Sequence, residues 1–240
     1  MNEAFGDHVA TVERALAPRG PDAEVERVLA AVASLADGAA AVLDLAVPTA
    51  TAAFSRRDML RPGYPAAAEA AQALGFAPMT RPVGGHLAAY DEGSLVLHLW
   101  APHPDPRSHI KARFELFGDV VTRALRGLGV DARLGRVPGE YCDGEYSVNT
   151  GGVVKLVGTG QRITRAGYLF SAVVMVERAE AARAALMAAY DHLGLELRPE
   201  SVGCVADSVP GITVPEVREH LVTALAELLP LADPAVPATA

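Results

Sequence analysis

The chain has 240 residues, of which 50% are hydrophobic and 21% are charged, so it is predicted to fold around a sizeable core. Its formal net charge of −8 and the absence of a lysine and arginine cluster argue against a nucleic-acid partner. No apolar run approaches the roughly 20 residues that span a membrane, and residues 1–20 lack the form of a secretory signal. We therefore expect a cytoplasmic protein with no membrane or nucleic-acid partner.

The sequence pattern in the first half of the chain predicts an N-terminal segment followed by the start of a larger domain. Residues 1–20 are predicted to form a loosely held helix and a connector, ahead of a single catalytic domain over residues 21–230. A helix is expected across Val25–Leu35, followed by strands in AAVLDLAVP and TATAAFS. After a polar turn, an alanine-rich helix is expected over residues 66–74, with Gly75 at its end.

The second half alternates strand signals with three helix signals. Strands are predicted in PMTRP, HLAAY and SLVLHLW, and later in VDARL, EYSVN, VVKLVG, QRIT and YLFSAVVMV. Helices are predicted over residues 106–128, 180–193 and 214–229, before a disordered tail at residues 231–240. Because helices do not alternate strictly with strands, the pattern favours an α+β fold with mixed or mainly antiparallel sheets flanked by helices.

A double-glycine turn links two of these predicted strands. In RPVGGH, the main chain at Gly84 and Gly85 lacks Cβ atoms and can approach a ligand closely. Arg81 and His86 flank the turn and are further candidates for substrate binding. A plain hairpin turn is the structural alternative.

The two cysteines, Cys142 and Cys204, form neither a metal-type pair nor a disulfide framework. Cys142 lies in the polar stretch EYCDGE, where a thiol is accessible, whereas Cys204 is expected to be structural. The seven histidines show no metal-ligand spacing, so no metal is expected.

Lys155 is one of only two lysines, although lysine and arginine together number 21. A compact ammonium in a background of arginine suggests a specific role, and it would lower the pKa of the Cys142 thiol if the two residues meet. The alternative is that Lys155 is an ordinary strand residue whose side chain lies in solvent. Next to it, Gly158 and Gly160 let a substrate approach the backbone, and the Gln161 amide both donates and accepts hydrogen bonds.

The stretch from about Phe54 to Val176 resembles the biotin/lipoate protein ligase and octanoyltransferase superfamily. FSRRD resembles the segment before its first long loop, RPVGGH resembles its Arg-x-x-Gly-Gly loop, and VKLVGTGQR resembles its Lys-x-x-Gly-x-x-Gln signature. The resemblance implies a lipoate-protein ligase catalytic-domain fold with Lys155 as the active-site lysine.

EYCDGEYSVN resembles the Tyr-Cys-Pro-Gly segment of the cysteine-dependent branch, the octanoyl-[glycine cleavage H protein]:protein transferases, with Asp143 in place of the proline. This implies a Cys142 thioester that passes an octanoyl or lipoyl group to a lysine of a lipoyl-domain protein, near an oxyanion-stabilising Lys155. The implied partners are glycine cleavage H protein and 2-oxoacid dehydrogenase acyltransferase subunits, and no cofactor is required.

Two alternatives remain open. An ATP-dependent lipoate–protein ligase would use Lys155 with an acyl-adenylate, although Pro82 and His86 depart from the ligase loop. A non-catalytic module that binds acyl groups or carrier proteins would keep only the fold. Because the chain is acidic, docking to lipoyl domains is expected to use local arginines, with Arg133, Arg136 and Arg162 as candidates.

Overall fold

A computed structural model describes residues 3–233 of the chain. Its strands are β1 Ala10–Arg14, β2 Val42–Ala46, β3 Thr51–Phe54, β4 Ala77–Thr80, β5 Ala88–Tyr90, β6 Ser94–Pro102, β7 Ala132–Leu134, β8 Val148–Thr150, β9 Val154–Ile163, β10 Gly167–Met175 and β11 Leu231–Ala232. Its α-helices are α1 Pro21–Ser34, α2 Arg56–Met59, α3 Tyr64–Ala73, α4 Ile110–Gly127, α5 Glu180–Leu193 and α6 Val214–Leu225. The predicted α+β class is confirmed.

Eight strands form a large mixed sheet in the order β11-β1-β2-β6-β10-β9-β8-β7. Only β1 pairs in parallel, with β2 and β11, and the other neighbours are antiparallel. Side chains alternate between the two faces of a strand. On β6, Leu95, Leu97 and Leu99 therefore enter the core that α4 and α6 cover.

The opposite face of the large sheet meets a second layer. That layer is a three-stranded sheet in the order β4-β3-β5, with α3 and α5 packed together behind it. Val96 of β6 joins Phe54, Ala89 and Leu186 in the core between these layers. The RPVGGH turn contacts β9, since a Cβ on Gly160 would lie 2.9 Å from Val83 Cγ2.

The helix predicted within residues 1–20 is wrong. Residues 10–14 form β1, which lies inside the large sheet between β2 and β11. Ala10 and Val12 are buried while Thr11 is exposed, which is the period of two that a strand requires. Such a short alternating run is decided by its partner strands. The domain boundary predicted after residue 20 stays a prediction. The assignment of residues 21–230 to a single catalytic domain stays a prediction.

The tail predicted to be disordered begins too early, at residue 231. Leu231 and Ala232 pair in parallel with Ala10 and Thr11, so they belong to the edge of the large sheet. Residues 234–240 lie outside the described residues. None of the helices within residues 3–233 has the length and apolar character that crossing a bilayer requires.

Two local features position the site. The predicted polar turn SRRDMLRPGY contains the short helix α2, which Ser55 and Asp58 cap reciprocally. The segments VVKLVG and QRIT, expected as two strands, are the single long strand β9. Because β9 is continuous, it carries Lys155, Gly158, Gly160 and Gln161 on one rigid element.

Candidate active site

Cys142 lies in the connection between β7 and β8, which we call the cysteine loop (residues 135–147). Its backbone has φ +44°, a left-handed conformation that is uncommon for a residue other than glycine. The Cys142 N–H donates to the Tyr190 hydroxyl at 2.6 Å, and that hydroxyl donates to the Leu87 carbonyl at 2.9 Å. Helix α5 therefore holds the cysteine backbone in place.

Lys155 is buried beneath the cysteine loop, where its side chain is 2% exposed. Its Nζ donates to the carbonyl oxygens of Tyr141 at 3.0 Å and Cys142 at 2.8 Å, and it lies 3.0 Å from Glu140 Oε2. An ammonium has three N–H donors, so these three acceptors satisfy it. By contrast Lys111, the other lysine, is exposed and pairs with Glu115 one helical turn away.

Glu140 binds Lys155 and also organises the loop. Its side chain is fully buried. Oε1 accepts from the N–H groups of Val137 and Gly144, at 3.1 and 3.3 Å, and Oε2 accepts from the Ser147 hydroxyl at 2.7 Å. Lys155 and Glu140 thus tie β9 to the loop that presents the thiol.

The Cys142 sulfur is partly buried beside the RPVGGH turn. Sγ accepts from the His86 N–H at 3.2 Å and lies 3.5 Å from Arg81 Nη1, which also donates to the His86 carbonyl at 2.8 Å. Burial alone would raise the pKa of the thiol. The positive charges of Arg81 and Lys155 outweigh that effect, so the pKa of Cys142 lies below its ordinary value.

Gly85 makes the close approach between the turn and the thiol possible. A Cβ on Gly85 would lie 2.6 Å from Cys142 Sγ, and its φ of +114° disfavours any side chain. A Cβ on Gly84 would meet no atom within 4 Å. Neither glycine's N–H has an acceptor among the described residues.

His86 also carries a buried carboxylate partner. Its Nδ1 lies 2.7 Å from Oδ1 of Asp58, whose side chain is fully buried. Asp58 Oδ2 accepts from both the backbone N–H and the hydroxyl of Ser55, each at 2.9 Å. The cap of α2 therefore fixes the carboxylate that orients the His86 ring.

The predicted residues of β9 have different surroundings. A Cβ on Gly158 would lie 3.2 Å from Lys155 Cε, and one on Gly160 would lie 2.9 Å from Val83 Cγ2. The Gln161 amide is already engaged: Oε1 accepts from Arg113 Nε at 2.8 Å and Nε2 donates to the Ile110 carbonyl at 2.9 Å. Gln161 therefore anchors the start of α4, and its role toward a substrate stays a prediction.

The structure thus gathers Cys142, Arg81, Gly85 and His86 into direct contact and sets Lys155 behind the cysteine. Asp58, Glu140 and Tyr190 were not singled out in the sequence. The Ser-x-x-Asp pattern at Ser55–Asp58 predicts a helix cap and could have drawn attention to Asp58. Glu140 and Tyr190 make their contacts with distant segments, which no local pattern indicates.

Two open cavities meet at the double glycine. One, of about 350 Å³, is lined by Cys142 and Lys155. The other, of about 480 Å³, is lined by four arginines, Arg56, Arg57, Arg81 and Arg162. No cluster of three metal-ligating side chains occurs within residues 3–233. Cys142 therefore borders an open cavity.

The two other predicted docking arginines are exposed near this region. Arg133 pairs with Asp131 at 2.7 Å, and Arg136 lies 3.6 Å from Asp143. Cys204 is buried, which raises the pKa of its thiol and fits a structural cysteine.

The family model of the lipoyl protein ligase A/B catalytic domain matches residues 65–226. The chain belongs to this family. The resemblance drawn from the motifs is therefore confirmed. Octanoyl-[GcvH]:protein N-octanoyltransferase from Geobacillus kaustophilus (strain HTA426) is 29% identical over 120 residues, which cover 50% of this chain and 42% of that relative. The match thus spans less than half of the relative's length.

Solved structures of this family share the fold. A lipoate-protein ligase A bound with ATP superposes with a TM-score of 0.68 at 17% identity, covering 95% of this chain and 88% of that one. A bi-partite lipoate protein ligase from Thermoplasma acidophilum, studied with its E2 lipoyl domain, gives 0.67 at 18% identity, covering 95% and 87%. The predicted lipoate-protein ligase catalytic-domain fold is confirmed.

Proposed function

We propose that the protein is an acyltransferase that moves an octanoyl or lipoyl group to a lysine of a lipoyl-domain protein through a thioester on Cys142. The observation that carries the proposal is the environment of the thiol, where Sγ accepts a hydrogen bond from the His86 N–H and lies beside Arg81. These groups favour the thiolate, which is the nucleophilic form. The octanoyltransferase relative supports the acyl group.

In the first half-reaction the Cys142 thiolate attacks the acyl carbonyl carbon of the donor. The bond from that carbon to the donor's sulfur or nitrogen breaks, and the leaving group takes up the proton that the thiol lost. We place the developing oxyanion at the free N–H groups of Gly84 and Gly85 and near the Arg81 charge. Lys155, whose donors are already bonded, acts by holding the loop and by its charge.

In the second half-reaction the acceptor lysine attacks the acyl-Cys142 carbonyl. The carbon–sulfur bond breaks, Cys142 leaves as thiolate, and the amine gives up a proton. We assign that proton to His86 Nε2, which has no hydrogen-bond partner among the described residues, while Asp58 accepts from Nδ1–H. His86 lines a cavity with Cys142, as this role requires.

The proposed acceptor proteins and the proposed cytoplasmic location agree with this thioester chemistry. The acceptors are lipoyl-domain proteins such as glycine cleavage H protein and 2-oxoacid dehydrogenase acyltransferase subunits, and ATP is not required. Two unpaired cysteines suit the reducing cytoplasm, where thiols remain free.

The test is a transfer assay with an octanoyl donor and an isolated lipoyl domain, run with and without ATP. Wild type and Cys204→Ala are expected to transfer without ATP, whereas Cys142→Ala is expected to lose transfer. Full activity of Cys142→Ala would overturn the thioester mechanism. Strict dependence on ATP would favour the ligase, and binding without transfer would favour a non-catalytic module.

A further inference from the structure

Four arginines line one of the two cavities that meet at the double glycine. Arg56 and Arg57 are exposed at the start of α2, Arg81 begins the RPVGGH turn, and Arg162 lies on β9. No aspartate or glutamate is among the residues that line this cavity of about 480 Å³, which we call the arginine cavity. In a chain with a formal net charge of −8, it is a local concentration of positive charge.

The arginines of this cavity lack the carboxylate partners that many other arginines of the chain have. Ion pairs with aspartate or glutamate are made by Arg14, Arg19, Arg27, Arg123, Arg133, Arg136, Arg198 and Arg218. Within residues 3–233, the side chains of Arg56 and Arg57 make no hydrogen bond or ion pair, and Arg162 donates only to the Pro82 carbonyl at 3.4 Å. Their donors are therefore available to an anion from outside the chain.

Phosphate groups are the anions that suit this arrangement. A guanidinium presents planar, forked N–H donors that bind two phosphate oxygens at once. The site is also concave, as a small-molecule site is, and Val25, Leu29 and Pro82 add an apolar wall to it. Several guanidiniums beside an apolar wall match a nucleotide, which joins phosphates to an apolar base.

The arginine cavity lies next to the thiol. Gly84, Gly85 and Gln161 line both this cavity and the one that contains Cys142. A single ligand can therefore occupy both cavities, with its phosphate groups among the arginines and its reacting group beside Cys142.

We propose that the arginine cavity binds the phosphate groups of the acyl donor, and that this donor is a coenzyme A thioester. The inference rests on the proposed function, because it names the donor of the first half-reaction. The Cys142 thiolate attacks the thioester carbonyl carbon, and the bond from that carbon to the coenzyme A sulfur breaks. Coenzyme A leaves as a thiolate and takes up the proton that Cys142 lost. A nucleoside triphosphate offers the same phosphate chemistry, so the test separates the two sources.

The test compares acylation of Cys142 by octanoyl-coenzyme A and by octanoyl-pantetheine, which carries the same thioester without phosphate. Mass spectrometry without an acceptor gives a second-order rate constant for each donor. Wild type is expected to prefer octanoyl-coenzyme A by at least about tenfold, which is the scale of one charge-assisted hydrogen bond. Arg56→Gln/Arg57→Gln is expected to remove most of this preference. Arg123→Gln/Arg133→Gln, an equal change of charge at exposed arginines outside the cavity, should keep the wild-type ratio.

Equal rates with the two donors in wild type, or an unchanged ratio in Arg56→Gln/Arg57→Gln, would overturn the inference and leave the thioester mechanism standing. The wild-type ratio decides the matter even if a variant fails to fold. If the ratio is unchanged and only transfer to the lipoyl domain slows, these arginines bind the acceptor protein instead.

Binding of adenosine 3′,5′-bisphosphate is measured separately by titration calorimetry, which needs no acylation. Binding that is lost in Arg56→Gln/Arg57→Gln, with no label on Cys142 from either donor, would sink the thioester mechanism while the phosphate site stands. Transfer that strictly requires ATP, with ATP bound far more tightly than the bisphosphate, would assign the cavity to a nucleotide co-substrate and overturn the coenzyme A donor.

Discussion

Lys155 donates to the carbonyl oxygen of Cys142 at 2.8 Å, while the Cys142 sulfur accepts from the N–H of His86. The lysine therefore holds the backbone of the proposed nucleophile, and the double-glycine turn holds its thiol. Because the ammonium also pairs with buried Glu140, we expect it to support both the fold and the proposed chemistry. Substitution of Lys155 should therefore affect the stability of the fold and the reactivity of Cys142 separately, and each effect can be measured.

Lys155→Met is expected to destabilise the protein by about 3–5 kcal/mol, because it leaves Glu140 charged and buried without its partner. Denaturant unfolding measures this loss. The double variant Lys155→Met/Glu140→Gln should recover much of the stability but not the thiol reactivity, since the positive charge near Cys142 stays absent. A single variant within 1 kcal/mol of wild type would contradict the buried pair.

The lowered pKa of Cys142 predicts a distinct pH profile for alkylation by iodoacetamide. Since burial is outweighed by Arg81 and Lys155, the pKa of Cys142 is lowered and the thiolate persists to lower pH than in a free cysteine, so the midpoint falls below that of a free cysteine. Measurements in a Cys204→Ala background report one thiol. Arg81→Gln should move the midpoint upward, and an unchanged midpoint would refute the role of its charge.

Two neighbouring glycines give a matched pair of variants. Gly85→Ala places a methyl group 2.6 Å from the Cys142 sulfur at a φ of +114°, so acylation should fall by more than about tenfold. Gly84→Ala meets open space and should lose far less. Acylation rates followed by mass spectrometry compare the two, and equal losses would show that the approach of Gly85 to the thiol is unimportant.

His86→Gln is expected to slow transfer to the acceptor more than acylation of Cys142. The variant keeps the backbone N–H that supports the sulfur but loses the ring proposed to take the amine proton. Asp58→Asn should act in the same direction and should also weaken the cap of α2. Rapid-quench measurement of the two half-reactions tests this, and equal slowing of both would contradict a base role for His86.

The long periodic elements and the local motifs were predictable from the sequence. Helix α5 was expected over the residues where it occurs, and the motifs around Arg81 and Lys155 indicated the family. Residues 10–14 were misassigned because strand pairing, and not local pattern, makes them a strand. The contacts of Glu140 and Tyr190, and the hydrogen bonds of the Gln161 amide, could not be predicted from the sequence. Each joins segments that are far apart in the chain.

The most direct test of the account is intact mass spectrometry of the protein after incubation with an octanoyl donor and no acceptor. We predict the addition of one octanoyl group, mapped to Cys142, absent from Cys142→Ala and lost when a lipoyl domain is added. An unmodified Cys142 in a sample that still transfers octanoyl groups to the lipoyl domain would contradict the thioester mechanism.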